Sequence, residues 1–422
     1  MTPRVYLRTF GCRANQYDSE AVRALVESSG GVIVDSVEEA TVAVFNSCAV
    51  TAAAESELRR SIRHAARANA NLESVVMGCA AARDSGVITA LPSVAHVIPG
   101  ADMPAIAAAL GVARKPAVAR AQSGTRALLR IQDGCDEHCT FCATTLARGA
   151  NRSRPISELV VEAAALAERH PEIVLTGIHI GTYGADIGTT LGALVEALVN
   201  EVPVVRFRLS SLEATEVDAR VLEFFGEPSR LAPHLHAPLQ SGSDRLLKRM
   251  GRHWYTARSY ACAVQRIVER RPVFALGADI IAGFPGETAD DHRLTCALVE
   301  ELPFTYLHVF PFSLRPGTAA ERLPGHVAAP AIHDRAAELR ELANTKRSAY
   351  VASRAGGLGD VVVVRGDARE GLTEDYLEVR LDGEPLPRGT RVTGRLFLDG
   401  AILSASPVIS STAEPQPLAA SP

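Results

Sequence analysis

The sequence predicts an α/β protein made of three folded parts, and three features of its pattern predict this division. Residues 1–115 alternate strands with helices, which is typical of a parallel sheet covered by helices. The alternation restarts near residue 125 and continues to residue 345, which is long enough for an incomplete (β/α)6 barrel. Residues 346–408 show only short strands separated by Asp-Gly turns, a pattern that predicts a small all-β barrel.

The composition narrows the class of protein. A chain of 422 residues with 47% hydrophobic content and a net charge of −4 can bury large cores and has no overall attraction for nucleic acid. The sequence lacks an apolar signal segment and a continuous membrane-spanning stretch, so we expect a cytoplasmic protein without a membrane partner. Eight cysteines in such a chain indicate metal or redox chemistry. Residues 409–422 are rich in Pro, Ala and Ser and are expected to be a disordered tail.

Three short β-rich runs define the sheet of the first domain: residues 5–10, 42–45 and 75–77. Asp18 is expected to cap the helix after the first run, because aspartate accepts hydrogen bonds from the free N–H groups of a first turn. Thr51 is expected to cap the helix after the second run. Residues 113–124 have few large apolar side chains and predict a linker.

Three cysteines of this domain occupy equivalent positions. Cys12, Cys48 and Cys79 each follow the carboxyl end of one predicted strand. Because the carboxyl ends of parallel strands share one edge of the sheet, these three thiols are expected to converge there. One interpretation is a site for a metal cluster, and the other is that each cysteine is simply a small buried residue.

Repeated strand and helix units predict a barrel for the second domain. Six strands are expected at residues 128–131, 173–176, 204–209, 234–239, 274–281 and 305–310. Helices are expected between them at residues 156–169, 216–225, 257–270 and 287–302. Six β/α units leave one side of a barrel open for a large substrate, and active sites assemble at the carboxyl ends of the strands.

The loop after the first barrel strand carries three cysteines, Cys135, Cys139 and Cys142, in the order C-x3-C-x2-C. A 4Fe–4S cube needs four ligands, so three thiolates leave one iron open to a non-protein ligand such as S-adenosylmethionine. The alternative is a zinc site completed by His138 or by a distant cysteine. Because the chain has no second C-x2-C pair, we favour the iron–sulfur cluster.

Other segments at predicted strand ends should face the same cavity. They are residues 176–179, 210–213, 239–244 and 283–287, which include several glycines that would let a cofactor approach the backbone. Glu213 is a candidate acceptor for ribose hydroxyl groups. In the last domain, strands are expected at residues 361–364, 376–381, 392–398 and 402–405. We expect this small barrel either to bind RNA or only to pack on the second domain.

Several of these motifs together resemble the radical-SAM methylthiotransferase family. The C-x3-C-x2-C loop with Phe141 before its last cysteine is similar to the radical-SAM signature, and residues 147–155 are similar to the methylthiotransferase continuation. Residues 9–20, 46–51 and 77–79, which surround the three earlier cysteines, resemble the amino-terminal domain of that family. Residues 371–376 resemble the TRAM module, an RNA-binding barrel.

The resemblance implies two 4Fe–4S clusters and S-adenosylmethionine as cofactors. Cys135, Cys139 and Cys142 would hold the cluster that cleaves S-adenosylmethionine to a radical, and Cys12, Cys48 and Cys79 would hold an auxiliary cluster that carries the sulfur. Contacts to S-adenosylmethionine are expected from Phe141, Thr176, Gly177, Glu213 and Gln240. RNA contacts are expected from Arg148, Arg152 and Arg154 to phosphate and from Tyr376 to a base.

Residues 175–184 and 48–52 are most similar to the threonylcarbamoyladenosine (MtaB-like) branch of the family. This implies transfer of a methylthio group to C2 of N6-threonylcarbamoyladenosine at position 37 in the anticodon stem-loop of tRNA, with flavodoxin or ferredoxin as electron donor. The alternatives are isopentenyladenosine-37, an aspartate of a ribosomal protein, or a non-catalytic RNA-binding protein with zinc or one cluster. The sequence departs from the family at residues 143–146, Ala-Thr-Thr-Leu, immediately after Cys142.

Overall fold

The computed structural model describes residues 3–49, 52–113, 121–226, 229–367 and 369–408. The expected helix cap at Thr51, most of the expected linker and the expected disordered tail at 409–422 lie outside these ranges. None of the helices within the described ranges is long and apolar enough to cross a membrane.

The first domain is a parallel sheet of five strands in the order β2-β1-β3-β4-β5, with helices packed on it. The strands are β1 (Arg4–Thr9), β2 (Val32–Val34), β3 (Val42–Ser47), β4 (Glu73–Gly78) and β5 (Val94–Pro99). The helices are α1 (Arg13–Ser28), α2 (Ala52–Ala68) and α3 (Met103–Ala109). Val44 of β3 is paired with Leu7 of β1 and Val75 of β4 on one face, and Phe45 and Val76 belong to the core on the other, so the centre of the sheet is apolar on both faces.

The structure confirms the three expected strands as β1, β3 and β4, and it adds β2 and β5 at the two edges of the sheet. The expected cap at Asp18 was wrong. Helix α1 begins at Arg13, with Cys12 at its N-cap position, and Asp18 lies buried inside the helix. The buried carboxylate of Asp18 is stabilised because Arg130 and Arg148 of the second domain both pair with it.

The second domain is the expected incomplete barrel. Its strands are β6 (Ala127–Arg130), β9 (Glu172–Thr176), β10 (Arg206–Leu209), β11 (His234–His236), β12 (Ala275–Ala282) and β13 (Tyr306–Pro311), with a short pair, β7 (Gln132–Asp133) and β8 (Arg152–Ser153), beside the cysteine loop. The helices are α4 (Thr144–Arg148), α5 (Ile156–Ala167), α6 (Leu191–Glu201), α7 (Ala219–Phe224), α8 (Asp244–Arg249), α9 (Ala257–Val268), α10 (Ala289–Glu301) and α11 (Ala329–Arg354).

The six long strands are parallel neighbours in chain order. They form sheets of β6, β9 and β10 and of β11, β12 and β13, and bridges such as Ser211 to His236 join the two. Strands β6 and β13 are not paired in the described residues, so the barrel is open between them. All six barrel strands confirm the expectation, whereas α4, α6, α8 and α11 were not expected.

Alternation along the barrel strands separates an apolar layer from a polar lumen. Leu129, Leu175 and Leu209 belong to the buried core beneath the surrounding helices. Several of the alternate residues are polar and pair between neighbouring strands, as Glu172 of β9 does with Arg208 of β10. Because the lumen is polar and partly open, it can receive a charged or hydrogen-bonding ligand.

The third domain is a closed barrel of five strands in the order β14-β15-β16-β18-β17. The strands are β14 (Leu358–Arg365), β15 (Glu370–Leu372), β16 (Glu378–Leu381), β17 (Arg391–Asp399) and β18 (Ile402–Pro407). Strand β15 was not expected. The boundary expected between residues 345 and 346 falls inside α11, which joins the two barrels as one continuous helix.

Buried ion pairs attach the small barrel to the large one. Arg206 donates to the carbonyl oxygen of Asp360 at 2.6 Å, and Arg208 donates to that of Glu374 at 2.9 Å. Both arginines also bind Glu172, which is fully buried. Strands β9 and β10 therefore present charged side chains that hold the third domain in place.

Candidate active site

The C-x3-C-x2-C loop follows β7 at the carboxyl end of β6, as expected for a barrel active site. Backbone hydrogen bonds fix the loop: Cys135 N–H donates to Gly149 O at 3.0 Å, and Thr140 N–H donates to Met250 O at 2.8 Å. Gly134 enters the loop with a φ of 75°, and a Cβ atom there would lie 1.8 Å from Ala150 O. Only glycine therefore lets the loop close against residues 149–150.

Each of the three thiols in this loop has a nitrogen neighbour. Arg252 Nη1 donates to Cys139 Sγ at 3.5 Å, and the N–H group of Thr144 donates to Cys142 Sγ at 3.3 Å. His179 Nδ1 lies 3.6 Å from Cys135 Sγ. Donors of this kind stabilise the negative sulfurs of an iron–sulfur cluster and tune its potential.

Two residues that the sequence did not single out hold this loop. Gln132 is fully buried, and its Oε1 accepts from the N–H groups of Ile178 and His179, each at 2.9 Å. Its Nε2 donates to Gly134 O at 2.6 Å, so one side chain joins the end of β9 to the cysteine loop. Glu216 binds the other ring nitrogen of His179 at 2.8 Å and orients the imidazole toward Cys135.

Glu213 contacts the C-x3-C-x2-C loop indirectly, through the side chain of Arg252. Arg252 and Trp254 both donate to the carboxylate of Glu213, and Arg252 in turn donates to Cys139 Sγ. Burial, only partly opposed by Arg252, raises the pKa of the Cys139 thiol to about 12. Glu213 therefore orients Arg252, whose positive charge favours the thiolate needed for metal binding.

The remaining expected cofactor residues surround the same loop. Thr176 is buried at the end of β9, and a Cβ on Gly177 would lie 2.8 Å from Gln132 Oε1. Gln240 is buried and has a φ of 64°. Phe141 packs edge-on against Phe284 at 6.4 Å between ring centroids. Contacts of these residues with S-adenosylmethionine stay a prediction.

The three earlier cysteines converge as expected. Cys12 Sγ and Cys79 Sγ lie 3.8 and 3.9 Å from the same oxygen, Asn15 Oδ1. A Cβ atom on Gly11 would lie 2.6 Å from Cys48 Sγ, which places the third thiol beside the residue preceding Cys12. The three thiols from three strand ends therefore lie close together, which supports the interpretation of a metal-cluster site.

The spacing of the thiols bears on the kind of metal. The described residues contain two groups of three ligand atoms within 4.8 Å of one another, and neither includes any of these six cysteines. Each cysteine triad is therefore wider than a site for a single ion. A cube of four irons, with its ligands at separate corners, suits this spacing better than zinc does.

Arg148 connects the two cysteine triads. Its Nε donates to Cys79 Sγ at 3.3 Å and its Nη2 donates to Asn15 Oδ1 at 2.7 Å. It also pairs with Asp18 and Asp133 at 2.9 and 3.0 Å. Burial raises the pKa of the Cys79 thiol to about 11, and the positive charge of Arg148 opposes this shift.

The expected RNA contacts need correction at two of the three arginines. Arg148 is 7% exposed and fully paired, so it is not available to a phosphate. Arg154 binds Glu162 at 2.7 Å and Tyr17 at 3.3 Å and is likewise occupied inside the protein. Only Arg152 extends into solvent, with 59% of its side chain exposed.

Tyr376 also lies in a different environment from the one expected. Its ring is 4.6 Å from His234 and 6.0 Å from Tyr306, in the contact between the two barrels. Arg13, Arg126 and Arg208 lie over the ring at 5.2–5.9 Å. The half-buried ring therefore lies between the two barrels, and its contact with a base stays a prediction.

Residues 143–146, which depart from the resembled family, begin α4 and present a backbone N–H to Cys142. Ala143 is buried and Ala147 packs on the core of the first domain, whereas Leu146 is exposed. The helix therefore carries the chain from one triad to Arg148 and the other triad.

Two family models match the chain. The model described as uncharacterized protein family UPF0004 matches residues 4–100, and that of the radical SAM superfamily matches residues 129–299. The chain is 35% identical over 355 residues to the threonylcarbamoyladenosine tRNA methylthiotransferase MtaB of Thermotoga maritima, covering 80% of this chain and 81% of that protein. It is 32% identical to the tRNA-2-methylthio-N(6)-dimethylallyladenosine synthase of Thiobacillus denitrificans, covering 88% of this chain and 89% of that protein.

Among solved structures, the radical S-adenosylmethionine methyltransferase TsrM from Kitasatospora setae superposes with a TM-score of 0.55 and 14% identity. The superposition covers 75% of each chain. At this identity the likeness concerns the fold, and it agrees with the radical-SAM type of barrel described above.

Proposed function

The chain belongs to the radical-SAM tRNA methylthiotransferase family, and from this premise we propose that it transfers a methylthio group to C2 of N6-threonylcarbamoyladenosine at position 37 of tRNA. The observation that carries the proposal is the pair of cysteine triads, because Arg148, in the helix that follows one triad, donates to Cys79 of the other. A transferase that generates a radical at one cluster and supplies sulfur at another needs both sites to face one substrate cavity.

The family uses S-adenosylmethionine and 4Fe–4S clusters, and the donor sets of this chain fit them. When bound, these cofactors supply the radical, the methyl group and the sulfur. We propose that Cys135, Cys139 and Cys142 hold the cluster that binds S-adenosylmethionine, with donors from Arg252 and Thr144 to the sulfurs. Cys12, Cys48 and Cys79 would hold the auxiliary cluster.

Residues around the first triad would position S-adenosylmethionine. Thr176 ends β9 and Gly177 follows it beside the cysteine loop, and Gln240 is buried with a φ of 64°. The polar lumen would admit the adenine once it is turned out of the anticodon stem-loop, which single-stranded RNA allows. We further propose a small electron-transfer protein, flavodoxin or ferredoxin, as reductant.

The first experiment measures iron and labile sulfide after anaerobic reconstitution in the wild type and in Cys12/Cys48/Cys79→Ala. About eight irons per chain should fall to about four, while 5′-deoxyadenosine is still formed from S-adenosylmethionine. Cys262→Ala is the matched control, because Cys262 is an exposed free thiol outside both triads. Four or fewer irons in the wild type, or zinc, would contradict the two-cluster site.

The second experiment identifies the substrate. Stem-loop RNAs carrying threonylcarbamoyladenosine or isopentenyladenosine at position 37 are incubated with the reconstituted protein, and the nucleosides are analysed by mass spectrometry. The proposal expects methylthiolation of the threonylcarbamoyl RNA. If only the isopentenyl RNA gave product, the proposed substrate would be wrong, and the chain would share the activity named for the Thiobacillus denitrificans relative.

A further inference from the structure

Arg13 is a cation without a carboxylate partner in the described part of the chain. It follows Cys12 directly and is the first residue of α1. Its Nη2 donates to the hydroxyl of Tyr376 at 3.1 Å, and its guanidinium lies 5.9 Å from the centre of that ring. A half-buried guanidinium that binds only a phenol retains most of its capacity to bind an anion.

The surroundings of Arg13 carry an excess of positive charge. Arg126 and Arg208 also lie over the Tyr376 ring, at 5.6 and 5.2 Å. Both of them bind Glu172, which also binds Arg206, so one carboxylate is shared by three arginines. Although burial raises the pKa of Tyr376, Arg13, Arg126 and Arg208 together lower it below its usual value.

Space for a ligand exists beside Arg13. Arg13 and Arg126 line a cavity of 430 Å³ between α1 and β6, which Leu128 and Val174 also line. Arg126 further lines a second cavity of 920 Å³, together with Tyr306 and Tyr376. Arg126 and Val364 line both cavities.

We propose that Arg13, oriented by Tyr376, binds the carboxylate of the N6 substituent on the substrate adenosine and selects an anionic substituent over a neutral alkyl one. This inference rests on the proposed function. In adenine, C2 and C6 are both bonded to N1, so the N6 substituent projects from the same edge as the reacting carbon. Arg13 is suitably placed to meet this substituent, because it directly follows Cys12 of the triad proposed to carry the sulfur.

The chemical contrast between the candidate substrates makes the site selective. A threonylcarbamoyl group carries a carboxylate, which can form charge-assisted hydrogen bonds with a guanidinium. An isopentenyl group carries no charge and would leave Arg13 partly desolvated and unpaired. An RNA phosphate could supply the same negative charge, so the test must separate the two sources.

The experiment measures binding of three stem-loop RNAs that differ only at position 37: threonylcarbamoyladenosine, isopentenyladenosine and adenosine. The wild type should prefer the threonylcarbamoyl RNA, and Arg13→Gln should reduce that preference by about 10- to 100-fold. Arg13→Lys should retain part of it. Arg23→Gln is the matched control, since Arg23 lines the same cavity from α1 but already pairs with Glu20 and Glu27.

Equal weakening of all three RNAs by Arg13→Gln would assign Arg13 to phosphate and overturn the proposal. Unchanged binding, or a wild type without preference, would overturn it as well. Tyr376→Phe provides a second route if Arg13→Gln does not fold, because it removes only the hydroxyl that orients Arg13 and should weaken the preference. Failure of the wild type to methylthiolate the threonylcarbamoyl RNA would instead refute the proposed function.

Discussion

The Nε atom of Arg148 lies 3.3 Å from Cys79 Sγ, so the helix that follows one cysteine triad donates a hydrogen bond to the other triad. Arg148 reaches Cys79 because α4 begins directly after Cys142 and packs on the first domain through Ala147. Helix α4 therefore links the two triads along the chain, and a change at Arg148 should affect the amino-terminal triad first.

Arg148→Gln should destabilise the protein and deplete the amino-terminal cluster. The substitution leaves Asp18 buried beside Arg130 alone and removes the donor to Cys79. Loss of one partner from a buried ion pair costs roughly 3–5 kcal/mol. Denaturant unfolding would measure this cost, and iron per chain should fall from about eight toward about four after reconstitution.

Arg152→Gln is the control for that experiment, because Arg152 lies four residues away and is largely exposed. Its nearest carboxylate oxygen, on Asp133, is 3.7 Å away, and pairs of this kind contribute about 0–1 kcal/mol. Equal effects of the two substitutions on unfolding or on iron content would contradict the role assigned to Arg148.

Gly11→Ala should remove the amino-terminal cluster while leaving cleavage of S-adenosylmethionine intact. Gly11 has a φ of 99°, and a Cβ there would lie 2.5 Å from Cys48 Cβ and 2.6 Å from its Sγ. The new methyl group must displace Cys48. Gly30→Ala tests the backbone effect separately, because Gly30 has a φ of 86° but no heavy atom within 4 Å of its Cβ position.

Iron content and formation of 5′-deoxyadenosine would be measured for both glycine variants. Gly30→Ala should cost only about 1–2 kcal/mol of stability from backbone strain and keep the iron content of the wild type. A Gly11→Ala protein with the full iron content would show that Cys48 is not a ligand in the position described here.

Strand positions and the convergence of the cysteines could be predicted because they depend on local patterns. Parallel strands bring their carboxyl ends to one edge, so Cys12, Cys48 and Cys79 could be grouped from their place after three apolar runs. The six strands of the large barrel were predicted from their places between helical runs, although β10 and β11 alternate Arg or His with apolar residues.

The side chains that connect the domains could not be predicted. Arg148 was expected to bind RNA because an arginine beside a cluster motif gives no sign of what will bury it. Asp18 was expected at a helix terminus, since its partners Arg130 and Arg148 come from a different domain. Gln132 belongs to no recognised motif. Its position between β6 and Cys135 was nevertheless a signal that it could hold the cysteine loop.

Glu172→Gln should cost roughly 3–5 kcal/mol at neutral pH, because the variant leaves Arg208 buried without a carboxylate and leaves Arg206 with Asp360 alone. Burial alone would raise the pKa of Glu172, but Arg208, Arg206 and Arg126 lower it well below its usual range. A lowered folded-state pKa gives stability that is complete above the unfolded value of about 4.3 and is lost as pH falls further.

The difference in free energy of unfolding between wild type and Glu172→Gln should therefore shrink as pH is lowered from 7 toward 3. Glu196→Gln is the control, because Glu196 pairs with Arg220 at the surface and both side chains are about half exposed. It should cost less than about 1 kcal/mol at every pH. A pH-independent difference for Glu172→Gln would mean that the carboxylate is not the stabilising species.

Gly177→Ala should produce the converse of Gly11→Ala, with loss of the cluster in the barrel and retention of the amino-terminal one. A Cβ on Gly177 would lie 2.8 Å from Gln132 Oε1, 2.8 Å from Ile180 Cγ2 and 2.9 Å from Gln132 O. Because Gln132 also donates to Gly134 O, its displacement should release the loop that carries Cys135. Formation of 5′-deoxyadenosine should then stop, whereas about four irons remain bound at the other triad. If the two glycine variants lost iron and cofactor cleavage together, the triads would form one cooperative site. The assignment of separate roles to them would then be wrong.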